Sequence, residues 1–462
     1  MKLIKTGEYV IETSSVNATT LKDLMGTFSY YNPKTEQTKS SIKVTKGSIY
    51  VPRNINKLTK IFGNNLEIID KTLVPSISAP FSLSDTFDLK PEQHEAMISV
   101  LSKLLKGDNS AVLKAPPGFG KSYTLPYVVN SLQTNTLIIV DRTNLAEQMM
   151  SEFSANCKDL SITVLGGKNK VPTSVTIVTF QFLIRNKDFM KTYRDFFGFI
   201  VVDECHVIGS DVFTTVVGKF NAKYRLGLSA TPTRSDFMTE LLFDVMGTSF
   251  VSGKSADNLN VNMVMVDHPA KFAYVYGNYR NEYAKFLIYK GIALDVKSIC
   301  KNFKTLNRFG LIYITETDAQ LYYAWVLRKA GLRVGVINKD TPKEDRLLYI
   351  KKMEIEELDI IISGAILQKG ISIKRLDYII NLSNLTKEAH EQLVGRLRRH
   401  HKTKKEPLFL DFLFGGHALS KSWDREELAR NLKREHSDKF TKITIQKLLI
   451  EIKKQSDKVK KT

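Results

Sequence analysis

Ten short apolar runs, separated by segments of helical periodicity, constrain this chain more than any other feature. Five follow one another between residues 110 and 230: SAVLKA, TLIIVD, SVTIVTF, GFIVVDE and YRLGLSA. After a less regular stretch from about 250 to 305 come five more, FGLIYIT, LRVGVIN, LDIIIS, LDYIINL and PLFLDFL. Most of the runs are β-branched, and each is bounded by turn residues, as in strands buried on both faces of a parallel sheet. Parallel neighbours need long crossovers, and segments such as DAQLYYAWVLRKAG read as the helices that supply them, ending in glycine. The pattern predicts two successive doubly wound α/β lobes.

The chain has 462 residues, enough for about three domains at ~150 residues each. Residues 1–80 are rich in Lys, Ser, Thr and Asn and contain short β-like stretches, so a small, basic α+β accessory domain is expected there. The linker VPSISAPFSLSD follows it. The lobes are then expected over 88–250 and 251–415, with a basic helical tail, frayed at its last residues, over 416–462.

Composition narrows the partners. Lys and Arg total 68 against 48 Asp and Glu, a net charge of +20, which calls for a polyanion: nucleic acid or an anionic membrane surface. No apolar run approaches the ~18 residues of a membrane span, and MKLIKTGEYV lacks the apolar core of a secretory signal. Cys157, Cys205 and Cys300 are too scattered for a disulfide framework or a zinc site. An intracellular, soluble protein with nucleic acid as partner, and no membrane, is the expectation.

Two motifs carry chemistry. The first strand runs into A-P-P-G-F-G-K-S, Ala115 to Ser122, which has phosphate-loop spacing with Ala115 in place of the usual first glycine. Gly118 and Gly120 let backbone N–H groups turn towards phosphate oxygens at a helix N-terminus, Lys121 adds a charge, and the Ser122 hydroxyl can ligate Mg2+. Pro116, Pro117 and Phe119 complete the loop. The second motif, GFIVVDECH, ends a strand with Asp203 and Glu204, at the sheet edge where ligands of open α/β folds bind. One acid there can hold a metal and the other can orient or deprotonate water. Two adjacent acids in isolation read as solvated surface; behind four apolar residues and a phosphate loop they do not.

Asp203-Glu204-Cys205-His206 resembles the DExH box of superfamily 2 helicases and translocases, and further motifs follow in order. Gln93, in LKPEQHEAM, is similar to the adenine-reading glutamine; VDRTNLAEQM (Val140 to Met149) resembles motif Ia; Gly166-Gly167 and TFQFL (Thr179 to Leu183) resemble later strand-contacting motifs. Ser229-Ala230-Thr231-Pro232-Thr233-Arg234 matches motif III, and Gln392, Gly395, Arg396 and Arg399 fit the Q-x-x-G-R-x-x-R of motif VI. The likeness covers about residues 88 to 413 and implies two RecA-like lobes.

The resemblance also implies roles. Gln93, the loop from Ala115 to Ser122 and Gly370 would bind ATP; Ser122 and Asp203 would hold Mg2+, and Glu204 would serve water. Gln392, Arg396 and Arg399 would reach the γ-phosphate from the second lobe. His206, Ser229 and Thr231 would couple the nucleotide site to strand binding, and Arg142, Thr179, Thr315 and Ser363 would contact the nucleic-acid backbone. Two departures stand out: Asp141 replaces the proline of motif Ia, and GAILQKGISIK supplies Gly370 and Ser372 but no motif V aspartate. The G-I-S-[IV]-K form is similar to phage recombination helicases of the UvsW type, which implies action on forks and recombination intermediates, replication or recombination proteins as candidate partners, and a host cytoplasm as the setting. The alternatives are the same motor on RNA, a nucleic-acid-binding switch that uses ATP without unwinding, and a membrane-surface protein.

Overall fold

A parallel strand cannot return to its neighbour through a tight turn, so the strand order of this chain is set by its crossovers. The computed structural model describes the chain except residues 33–35, 107–108, 117–118, 168, 206–215, 230–238, 254–258, 273–277, 290, 365–372, 386, 399–400, 416–426, 428–429, 431–437 and 461–462. The chain divides into two units, Met1–Ala256 and Asp257–Thr462.

The first unit begins with a five-stranded sheet of β1 (Lys2–Lys5), β2 (Tyr9–Glu12), β5 (Lys43–Val44), β6 (Ser48–Val51) and β7 (Glu67–Asp70), in the order β5-β6-β2-β1-β7. A hairpin of β3 (Ser29–Asn32) and β4 (Gln37–Ser40) lies apart from it. Alternate side chains, Leu3, Tyr9, Ile11, Ile49 and Val51, meet Leu24 from the helix Ala18–Thr27, Phe28 that caps it and Leu58 from the helix Ile55–Phe62 in one small core. This is the expected α+β accessory fold.

The large sheet of this unit contains β9 (Ser110–Lys114), β10 (Thr136–Val140), β12 (Ile162–Val164), β13 (Val175–Thr179), β14 (Phe199–Val202), β15 (Tyr224–Ser229) and β16 (Phe250–Ser252). All its pairings are parallel, in the order β12-β13-β10-β14-β15-β9-β16. Side chains alternate between faces as the pleat requires: Ile138 and Val140 join Met97, Val128 and Met149 on one side, whereas Leu137 and Ile139 join Leu183, Phe197 and Met246 on the other. A short antiparallel pair, β8 (Ser82–Leu83) with β11 (Cys157–Lys158), flanks the sheet.

The second unit repeats the plan with β17 (Asn262–Lys271), β18 (Gly310–Tyr313), β19 (Val334–Ile337), β20 (Ile360–Ser363), β21 (Tyr378–Asn381), β22 (Leu408–Gly415) and β23 (Lys439–Thr444). They pair in parallel, in the order β19-β20-β18-β21-β22-β17-β23. Two doubly wound, RecA-like lobes with a small N-terminal sheet are therefore present, each lobe with seven strands where the sequence pattern predicts five.

The four added strands have physical reasons. β12 and β16 are three-residue edges, too short for a periodic signal. β17 lies in the stretch that reads as irregular and is mostly buried, but its core face uses Met as well as Val, a weak β signal. β23 corrects the reading of the C-terminal tail as helical. Its sequence KFTKIT is largely exposed, and its order comes from pairing with β17. The helix Ile445–Val459 that follows buries Ile445, Leu448 and Ile452 in the core of the lobe.

The accessory sheet is fixed to the first lobe through buried polar groups. The backbone of Gly7 lies so close to the lobe that a Cβ there would sit 2.1 Å from the Gly218 carbonyl oxygen. Arg53 donates to the carbonyls of Ala222 (2.9 Å) and Lys223 (3.0 Å), and fully buried Arg225 donates to those of Val245 (3.0 Å) and Gly7. The linker packs as well: the Pro75 carbonyl accepts from the Asn135 amide and the Thr134 hydroxyl.

Asp244, on the helix Thr239–Met246, is fully buried and accepts from Asn54 (2.7 Å), Lys57 (3.3 Å) and the Tyr30 hydroxyl; Glu240 also faces Lys57. Burial pushes its carboxyl up to about 8. A folded value above that of an unfolded aspartate means that the folded state holds the proton more tightly. The stabilising contribution is then full below about pH 4 and declines as pH rises towards 8. Asp244→Asn keeps the neutral form's shape and should flatten the dependence of the urea midpoint on pH across that window. An unchanged slope would show that Asp244 does not titrate there.

Candidate functional site

In the first lobe β14, β15 and β9 are adjacent, so the segments leaving their carboxyl ends converge. The Ala115 amide donates to the Ser229 carbonyl (2.9 Å), joining the phosphate loop to the end of β15. Phe119 donates to the Pro116 carbonyl (3.1 Å) and is buried. Gly120 then adopts φ +87°, a left-handed conformation, and starts the helix Lys121–Leu132, whose first bond runs from the Thr124 amide to the Gly120 carbonyl (2.9 Å). Ser122 lies in that first turn. Pro117 and Gly118 fall outside the described residues, as do His206, Thr231, Gly370, Ser372 and Arg399.

The Lys121 ammonium bonds the Ala115 carbonyl (3.3 Å) and lies 3.7 Å from Glu204 Oε1. Asp203 and Glu204 follow β14 directly. Glu204 has φ +46°, and its amide donates to Asp203 Oδ1 (3.0 Å). Burial and the neighbouring charge of Glu204 push the Asp203 carboxyl up to about 7, against the pull of Lys121. Such a group is costly to ionise unless a cation compensates it, which suits it to ligate a divalent metal. Ser229, at the end of β15, is fully buried. Cys205 is buried against Gly227, a packing role.

Gln93, the residue expected to read adenine, also braces the loop. Its Oε1 accepts from the Lys90 amide (3.1 Å), and its Nε2 donates to the Phe119 carbonyl (2.5 Å). One buried amide thus ties the start of the helix Pro91–Leu105 to the phosphate loop.

The residues expected at the nucleic acid have unequal settings. Arg142 is exposed, precedes the helix Thr143–Asn156 and pairs with Asp141 (3.2 Å), which takes up part of its charge. Thr179 ends β13, and its hydroxyl accepts from the Phe182 amide (3.3 Å) as a helix cap. Thr315, just past β18, is exposed and donates to Glu316 Oε1 (2.6 Å). Ser363 is a correction. Its side chain is fully buried and its hydroxyl donates to the Ile337 carbonyl (2.6 Å), so the side chain joins β20 to β19 instead of facing solvent.

In the second unit, Gln392 is half-buried and Arg396 buried on the helix Lys387–Leu397. A polar chain missed from the sequence leads to that helix. The Thr315 amide donates to Ser383 Oγ (3.0 Å), the Ser383 amide to Asn381 Oδ1 (3.1 Å), and Asn381 Nδ2 to Asp411 Oδ1 (2.7 Å). His390 Nε2, ahead of Gln392 on the same helix, lies 3.7 Å from Asp411 Oδ2. The available signal is Asp411 itself, a carboxylate set within the apolar run LFLDFLF. Arg398, next to the motif arginines, is buried in an ion pair with Asp438 and is structural.

A left-handed residue other than glycine costs about 1–2 kcal/mol, and a Cβ on Gly120 would lie 2.9 Å from Gln93 Nε2. Gly120→Ala should therefore weaken nucleotide binding by roughly tenfold in a titration with a fluorescent ATP analogue. Wild-type affinity would remove this turn from the binding site.

Comparison with known proteins covers both lobes. Residues 86–234 match the family model described as the res subunit of type III restriction enzymes, and residues 296–401 match the helicase conserved C-terminal domain. A putative ATP-dependent RNA helicase L396 of Acanthamoeba polyphaga mimivirus is 26% identical over 349 residues, 71% of this chain and 64% of that protein's length. A DNA 3'-5' translocase XPB2 of Sulfurisphaera tokodaii is 22% identical over 397 residues, 76% of this chain and 87% of that protein. Among solved structures, S. cerevisiae Dbp5 bound to RNA and ADP BeF3 aligns with a TM-score of 0.56 and 13% identity over 81% of this chain and 98% of its own. T4 UvsW aligns with a TM-score of 0.42 and 16% identity over 96% of this chain and 99% of its own. The two family matches span the phosphate loop, the acidic pair and the helix bearing Gln392 and Arg396, and by them the chain belongs to the superfamily 2 helicases.

Proposed function

We propose that this chain is an ATP-driven nucleic-acid motor whose substrate is DNA, and that it unwinds or remodels branched forms such as forks and recombination intermediates. The observation that carries the reading is the convergence of Lys121, Asp203 and Glu204 beside a helix N-terminus, with Lys121 3.7 Å from Glu204. An ammonium, a buried acid suited to a metal and a second acid to serve water are the groups that hydrolysis of a phosphoanhydride requires.

In this reading Lys121 and the N–H groups of the turn at Gly120 bind the triphosphate, and Asp203 with Ser122 holds Mg2+. The bound ion supplies neutralisation of charge on the phosphate oxygens. Glu204 orients the attacking water and accepts its proton. Arg396 of the second unit is assigned to the γ-phosphate, where an arginine is worth ~10³–10⁵ in rate. Backbone contacts give affinity without sequence readout, and Arg142, Thr179 and Thr315 are the residues assigned to them. The choice of DNA is supported by the XPB2 relative, named a DNA translocase, and by the basic N-terminal sheet. The RNA helicase name of the mimivirus relative favours RNA as the second reading.

Two measurements test this. Lys121→Ala and Glu204→Gln should each abolish ATP hydrolysis, with Glu204→Gln still binding nucleotide; turnover that survives both variants would refute the assigned site. Forked DNA should stimulate the wild-type ATPase more than single-stranded DNA or RNA. Stimulation by RNA alone would replace the DNA reading with the RNA one.

A further inference from the structure

The accessory sheet and the first lobe do not meet flush along their whole seam. Between them lies a cleft of about 630 Å³, a size typical of ligand sites, and its lining is strongly cationic. Lys43 comes from the edge strand β5, Lys187 and Lys191 from the helix Lys187–Thr192, Arg194 from the turn after it, and Lys219 from the segment before β15. Among the described residues that line it, Glu8 is the one carboxylate. Among the described residues, Lys43, Lys187, Lys191 and Lys219 form no ion pair. The Arg194 side chain bonds the neutral side chain of Asn221 (3.3 Å).

This arrangement is unfavourable by itself. Lys187 and Lys191 are four apart on one helix, a like-charge spacing that destabilises a helix. Lys43 faces them from another sheet, so the fold gathers cations that solvation would keep apart. One carboxylate does not balance five cations, and burial raises the Glu8 carboxyl's hold on its proton even though Lys219, Arg225, Lys43 and Arg194 pull it down. The cleft is therefore a concave site with an excess of positive charge, and the Tyr50 and Ser40 side chains in its lining add hydroxyls that can donate to phosphate oxygens.

Its position separates it from the nucleotide site. Arg194 and Lys219 precede the amino ends of β14 and β15, whereas Asp203 and Ser229 stand at the carboxyl ends. The six residues of β15 alone rise by about 20 Å, so a triphosphate held by Lys121 does not extend into the cleft.

We propose that this cleft is a second nucleic-acid site that grips the phosphodiester backbone of a duplex arm, on the opposite edge of the sheet from the ATP. The proposal rests on the reading of the chain as a nucleic-acid motor and gives the accessory sheet a task within it. A duplex held here is anchored to the first lobe, because the seam is locked by Arg53, Arg225 and Gly7.

The test is a quadruple variant, Lys43→Gln, Lys187→Gln, Lys191→Gln and Lys219→Gln, with a Lys187→Glu variant beside it. Binding of a short blunt duplex is followed by fluorescence anisotropy across a salt series, with the full chain and no ATP. Each lysine–phosphate pairing removed should make the slope of log K against log[salt] shallower by roughly 0.9, so a slope shallower by about two to four is expected. Affinity at ~0.1 M salt should fall at least tenfold, and Lys187→Glu should fall in the same direction. ATPase activity without nucleic acid should match the wild type, and the melting temperature should equal or exceed it, because like charges are relieved. Wild-type affinity and slope in the quadruple variant would overturn the site, as would reduced affinity with an unchanged slope. Inorganic triphosphate is the second probe: if the variant binds one equivalent fewer than the wild type, the equivalent at Lys121 remaining, but still binds duplex as the wild type does, the cleft takes free polyphosphate and the backbone reading fails. Failure of the motor reading is separate and shows as a wild-type ATPase that no nucleic acid stimulates.

Discussion

Parallel pairing of β9, β15 and β14 is the constraint on which the site depends. Parallel strands send all their carboxyl ends to one edge, so the loops carrying Ala115 to Ser122, Asp203-Glu204 and Ser229 emerge side by side although more than a hundred residues separate the first from the last. The Ala115–Ser229 hydrogen bond and the Lys121–Glu204 approach follow from that order. Buried on both faces, the strands hold these ends rigidly enough to keep an unfavourable carboxyl at Asp203 and left-handed backbone at Gly120 and Glu204.

The same sheet has a second use at its other edge. There the accessory sheet docks through groups that could not be buried alone: Arg225 and Arg53 on backbone carbonyls, and Asp244 on Asn54, Lys57 and Tyr30. Polar groups removed from water must be satisfied locally, so this seam has one register and resists sliding. Where it opens into the cationic cleft, the same rigidity holds like charges together. The two edges of one sheet thus carry different chemistry: the phosphate loop with its acidic pair at one, and a cationic cleft at the other.

Much of this is legible in the residues. The apolar runs identify ten of the fourteen described strands of the two lobes, because strands buried on both faces need continuous apolar sequence. The phosphate loop and the acidic pair are visible because their chemistry fixes residue type and spacing. What escapes the sequence has a common cause. β17 and β23 owe their order to neighbours, β23 having almost no buried face of its own. Ser363 reads as an exposed strand end, yet the adjacent Ile337 carbonyl captures its hydroxyl inside the sheet. Asp411 and His390 give no signal that they will meet, since about 20 residues and a crossover lie between them.

The sequence by itself determined the fold class, the family and the identity of the groups around the phosphate loop, because local patterning and short motifs encode them. Only the tertiary structure decided which of those groups touch. It turned Gln93 into a brace for the loop, removed Ser363 from the surface, linked Thr315 to the helix of Gln392 and Arg396, and brought Lys43 and Lys219 to the same cleft. The reason is physical: a motif specifies a side chain's chemistry, whereas its partners, burial and charge environment come from strands and helices that are distant along the chain.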